Sequence, residues 1–135
     1  MEKDVEERFV NLYIVKSKRT RILHEFFHNE KRRYAIGRFC HMTTNYVKEN
    51  CILDSGNKIS QEELFELMRK NNQKKCYVIS WDSDIDGTWL NLEAALEAAI
   101  GLGMPSILIF DDFAIIETEQ EQGAACKYVL SSTSG

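Results

Sequence analysis

Two short stretches of this 135-residue chain set metal-binding side chains at spacings that could hold an ion. The first is His24-Glu25-Phe26-Phe27-His28. On a helix, residues i and i+4 share a face, so the imidazoles of His24 and His28 could grip one Zn²⁺. Glu25 between them would then serve as general base toward a zinc-bound water. The third ligand would have to be His41, Glu49 or Cys40. The second stretch runs from Asp82 to Glu93 and reads Asp82-Ser83-Asp84-Ile85-Asp86-Gly87-Thr88-Trp89-Leu90-Asn91-Leu92-Glu93. Its alternating carboxylates Asp82, Asp84 and Asp86 could converge on Ca²⁺ or Mg²⁺. Gly87 permits the sharp turn such a loop needs, and Glu93 would close the shell from a following helix.

These patterns carry local family resemblances. The H-E-x-x-H stretch resembles the zincin metallopeptidases over five residues, which implies His24 and His28 as ligands and Glu25 as base. Residues 82–93 resemble an EF-hand loop over twelve positions, although the element leading into them reads as a strand. Asp84-Ile85-Asp86-Gly87-Thr88 also resembles the first motif of the haloacid-dehalogenase phosphatases, which implies Asp84 as nucleophile and Asp86 as general acid-base. Asp111-Asp112 resembles that family's later metal-binding acids. No lysine lies between Thr88 and Asp111, where that family keeps one for the phosphate.

Each stretch also has a structural use. Phe26 and Phe27 can enter a core while His24 and His28 flank it, and acids ahead of a helix stabilise its positive N-terminal end. The chemistry of binding is carried differently by Lys16, Lys18, Arg19, Arg21, Lys31, Arg32, Arg33 and Arg38. With Lys48 they put nine basic residues against Glu25 and Glu30 in residues 16–48, an excess of +7 in a chain whose net charge is −4. Residues 76–135 hold Lys127 against ten acids, an excess of −9. The asymmetry suits a basic surface for nucleic acid or an acidic partner, or two charged parts that attract each other within one fold. Phe26, Phe27, Tyr34 and Phe39 interleave with the basic residues, as base stacking or a helical core stripe would require.

The elements that must position these residues follow from periodicity. Val5, Phe9, Leu12 and Tyr13, then Ile22, Leu23, Phe26 and Phe27, recur at helical spacing, so the first forty or so residues read as helical. The run Phe9–Val15 could alternatively be a strand. Ser60 and Glu63 form a capping box, with Ile59 and Leu64 as its staple, for a helix over 59–70. Cys76–Trp81 is a strand rich in β-formers. A helix follows near 89–101, with Leu92, Ala95, Leu96, Ala99 and Ile100 on one face, stopped by Gly101, Gly103 and Pro105. Ser106–Phe110, Phe113–Thr118 and Lys127–Leu130 are further strands. The expected fold is α/β of the α+β kind. It has a mixed sheet of four or five strands with one right-handed βαβ unit and antiparallel C-terminal strands, covered by N-terminal helices in one domain over 1–135.

Composition narrows the rest. The chain is 44% hydrophobic and 28% charged, which suits a globular domain, and no apolar run approaches a membrane span. The charged opening Met1–Arg8 has no signal-peptide pattern, and Cys40, Cys51, Cys76 and Cys126 are dispersed. The expected location is the cytoplasm, with the cysteines as buried thiols. The sequence holds no complete catalytic set. The expectation is therefore a non-catalytic domain that binds a macromolecular partner, as a regulatory, inhibitory or immunity-type protein does. The alternatives are a zinc peptidase, a nucleic-acid-binding protein and a Ca²⁺-binding protein.

Overall fold

A computed structural model describes residues 2–56, 61–70, 74–100, 104–118 and 127–131. The helical opening divides into α1 (Lys3–Tyr13), α2 (Lys16–Phe26), α3 (Asn29–His41) and the short α4 (Thr43–Tyr46), followed by a 3-10 turn at Glu49–Cys51. Phe9, Val10 and Tyr13 are the buried apolar residues of α1, so most of the run Phe9–Val15 is helix rather than strand. Only Ile14, beyond the helix end, makes a single bridge to Val47.

After the turn come β1 (Ile52–Gly56), α5 (Gln61–Lys70), β2 (Lys75–Ser80), β3 (Thr88–Asn91), α6 (Leu92–Ala99), β4 (Ser106–Ile109), β5 (Phe113–Glu117) and β6 (Lys127–Ser131). The six strands form one sheet in the order β1-β6-β5-β4-β2-β3, and every pairing is antiparallel. The α+β class, the C-terminal antiparallel strands and the covering N-terminal helices stand as expected. The expected parallel βαβ unit does not. Between β2 and β4 the chain makes an extra reversal, because Thr88–Asn91 is a strand hairpinned onto β2. Helix α6 then runs back along β2, and β4 enters antiparallel. Trp89 and Leu90, expected in the helix, lie in that strand. Asn91 caps α6, its side chain accepting from the Ala94 N–H at 2.8 Å.

Alternation along the strands builds a core on each face of the sheet. Tyr77, Ile79, Ile107, Ile109, Ala114 and Ile116 face α1 to α4, meeting Phe9, Ile22, Phe26, Ile36 and Phe39. Val78, Leu108, Ile115 and Val129 face the other way, onto Leu64 and Met68 of α5 and Ala95, Leu96 and Ala99 of α6. Cys40, Cys51 and Cys76 are buried and unbridged. The expected cap and staple residues Ser60 and Ile59, the stop residues Gly101 and Gly103, and Cys126 lie outside the described residues. No described helix is long and apolar enough to cross a membrane.

Candidate functional site

The interior face of α3 brings a charge into the protein. Arg32 is 5% exposed, and all five of its N–H donors are spent. Nη1 and Nη2 donate to the two carboxylate oxygens of Glu6 on α1, at 2.6 and 2.9 Å. Nε and Nη2 donate to Asp86 Oδ2 and Oδ1, at 2.6 and 2.9 Å. Nη1 also donates to the Phe26 carbonyl at 2.9 Å. On the far side Tyr77 Oη donates to Glu6 Oε2 at 2.6 Å and accepts the Glu2 N–H. Asp86 Oδ1 accepts the Ser80 N–H at 3.1 Å. Burial works against the arginine's charge, but its hydrogen bonds to Asp86 and Glu6 outweigh it and raise its pKa. Burial and the bond to Glu6 likewise push the Tyr77 phenol up. The network ties α1, α3, β2 and the loop after β2 into one unit.

This geometry redistributes the residues of the acidic loop. Asp86 is held in a two-pronged ion pair by Arg32 rather than left to a cation. Asp82 accepts the Asp84 N–H at 3.0 Å, and Asp84 is exposed. Glu93 does not join them, because the four residues of β3 stand between and a strand of that length advances about 13 Å. The expected twelve-residue ion loop is therefore opened out by a strand. Gly87 retains its role as the turning residue, with φ 74° and its N–H donating to Val78. Asp111 and Asp112 lie at the opposite end of the sheet from Asp84 and Asp86, because β4 runs antiparallel to β2. The convergence that the phosphatase resemblance implies requires parallel strands and does not occur.

The histidine pair is altered as well. Helix α2 ends at Phe26, and His28 is the extended residue that starts α3, so the two imidazoles do not share one helix. Their ring centroids are 6.0 Å apart and both side chains are exposed. Glu25 is engaged by Arg38 Nη2 and, at 3.5 Å, by Arg21. That bond to Glu25 raises the Arg38 pKa. Among the described residues no three His, Cys, Asp or Glu side chains gather as a metal centre would need.

Much of the basic segment holds the fold together. Arg19 Nε donates to the Ile14 carbonyl at 2.9 Å, Lys18 lies over the Tyr46 ring at 4.8 Å, and Arg38 also donates to Tyr46 Oη. Lys16, Arg21 and Lys31 are exposed. Overall, α2 and α3 carry eight basic residues against two acids, whereas α5 and α6 carry five acids against two basic residues. The two helix pairs cover opposite faces of the sheet, so most of these charges do not meet. Arg32 pairs instead with Asp86, an acid of the loop between β2 and β3.

The most distinctive surface feature stands beside that pair. Trp81 follows β2, is 37% exposed, and lies against α3, where a Cβ added to Gly37 would sit 3.7 Å from its ring. The Arg33 guanidinium stacks on the Trp81 ring at 3.6 Å from the centroid, and its Nε donates to the Trp81 carbonyl at 2.9 Å. Next along α3, Tyr34 is 84% exposed. A concavity of about 320 Å³ opens here, with Arg32 and Asp86 in its wall and Asn29, Ser83 and Trp81 around it. Sequence periodicity marked Arg33 only as one of several basic residues and Trp81 only as a strand residue. The signal available was the Trp81-Asp82 boundary, where a large aromatic meets a polar turn.

No protein-family model, curated protein or solved structure matches the chain.

Proposed function

We propose that the protein acts by binding a macromolecular partner, a protein, without performing catalysis. Its docking surface is the outer face of α3 with Trp81. The observation that carries this reading is the Arg33–Trp81 stack beside exposed Tyr34. Trp, Tyr and Arg are the residue types that dominate binding energy at protein interfaces. Here the aromatic and the guanidinium are ordered before any partner arrives, because the Arg32 network fixes α3 and the loop to each other. Preordering lowers the entropy cost of association. Regulatory, inhibitory and immunity-type proteins work through surfaces of this kind.

The test compares wild type with Trp81→Ala and Tyr34→Ala, each checked for unchanged circular dichroism, as bait in extract of the cells that encode the protein. The expected result is a protein retained in stoichiometric amount that rebinds when purified. It should lose affinity on Trp81→Ala by about 2 kcal/mol or more, roughly thirtyfold. Binding indifferent to both substitutions overturns the proposal. Stoichiometric zinc lost on His28→Ala would move the function to His24 and His28. A captured nucleic acid whose affinity falls steeply with salt would move it to the basic helices.

A further inference from the structure

A second site lies along the same sheet edge, on the other side of the buried network. Trp89 of β3 pairs with Tyr77, and their rings meet edge to face at 5.4 Å. Trp81 is four residues beyond Tyr77, past the end of β2, so the backbone advances roughly 13 Å from the Tyr77–Trp89 pair to Trp81. Beside Trp89 a cleft of about 510 Å³ opens between α1 and the start of β2. That volume lies within the range of about 300–1,000 Å³ usual for small-ligand pockets.

The lining has four kinds of chemistry. Trp89, 45% exposed, offers an indole face, over which the Lys75 ammonium sits at 5.2 Å. Val5, Ile109 and Phe110 give apolar surface. Arg8, Lys74 and Lys75 bring three positive charges. Asp4 and Asp111 bring two carboxylates, and Arg8 reaches across to the Asp111 carbonyl at 2.8 Å. An aromatic face next to cations suits a base joined to a phosphate. A simple aryl anion offers the two exposed carboxylates no hydrogen-bond donor, whereas a nucleobase with an exocyclic amine does.

We propose that this cleft binds a nucleoside 5′-phosphate, either free or at the end of a nucleic-acid chain. The base stacks on Trp89 and displaces the Lys75 ammonium, which turns with Lys74 and Arg8 onto the phosphate. The exocyclic amine donates to Asp4 or Asp111. This site is separate from the partner surface at Trp81 and stands or falls independently of it.

The protein has two tryptophans, so a ¹⁵N spectrum of the intact chain shows two indole N–H signals, assigned by comparison with Trp81→Phe. Titration with AMP is expected to shift the Trp89 signal saturably and leave the Trp81 signal in place. Adenosine and ribose 5-phosphate should each bind about tenfold more weakly or worse, since each lacks half of the recognised chemistry. Lys74→Ala with Lys75→Ala should weaken AMP about tenfold while circular dichroism stays unchanged. A Trp89 signal unmoved by millimolar AMP overturns the proposal, as does adenosine equal to AMP or AMP binding indifferent to the lysine substitutions. A 5′-phosphorylated oligonucleotide that binds more tightly than AMP identifies the chain end as the source. The reverse order identifies the free nucleotide.

Discussion

Arg32 shows how a residue of binding type can be wholly committed to structure. Its five donors meet five acceptors, so removing it strands two carboxylates, Glu6 and Asp86, with the first wholly buried. Arg32→Met should cost about 3–5 kcal/mol in urea unfolding, the scale for breaking a buried pair by deleting one partner. Arg32→Lys should recover only part of that loss, because an ammonium cannot reproduce the planar fork. Cys76 offers a second test at this scale. Burial pushes its thiol from 9.0 up to about 12. A raised pKa gives stability that is whole below the unfolded value and is lost as pH climbs toward the folded one. Between pH 9 and about 12 this thiol alone should subtract about 1.4 kcal/mol per pH unit, and Cys76→Ala should flatten the alkaline stability profile accordingly.

At the scale of elements, the β2–β3 hairpin decides the topology, and Gly87 makes its turn. The positive φ of Gly87 makes Gly87→Ala costly by about 1–2 kcal/mol, read as a lowered urea midpoint with unchanged slope. This hairpin also marks where the sequence stopped being legible. Helices α1 to α3 show in the spacing of residues such as Phe9 and Phe26, because each buries one face. Strands β2, β4, β5 and β6 show as short apolar runs such as those around Val78 and Ile115, because both of their faces are covered. Strand β3 has only four residues and in the sequence pattern merges with the following helix, whose apolar stripe begins at Leu92. The cues were Asp86-Gly87 as a hairpin turn, the β-formers Thr88 and Trp89, and Asn91 as a helix cap. Strand β1 was harder to read. It joins the sheet only through β6, with a register shift between Ile52 and Asp54 that leaves Leu53 exposed, so no alternation survives. The spacing of the ion-binding motifs presumes one continuous helix through His28 and one compact loop to Glu93, whereas α2 ends at Phe26 and β3 stands before Glu93. The Glu6–Arg32–Asp86 network has no sequence signature, since its members are 26 and 54 residues apart.

For the whole molecule, one sheet supplies both cores, so neither helix layer can detach without exposing the strands the other layer needs. Phe39→Ala on the α3 side should destabilise by about 3–5 kcal/mol. The loss should appear at one midpoint whether followed by tryptophan emission or by far-ultraviolet dichroism, because β2 contributes Ile79 to one core and Val78 to the other. Separate midpoints would show that the two layers unfold independently.

The opposed charges of the two helix layers give the protein a permanent electric axis across its sheet. Near a negatively charged body the field exerts a torque before any atoms touch, turning α2 and α3, and with them Arg33 and Trp81, to the front. Alignment of this kind acts within about a Debye length, ~8 Å in physiological salt. Added salt should therefore slow capture of an acidic partner far more than it hastens release.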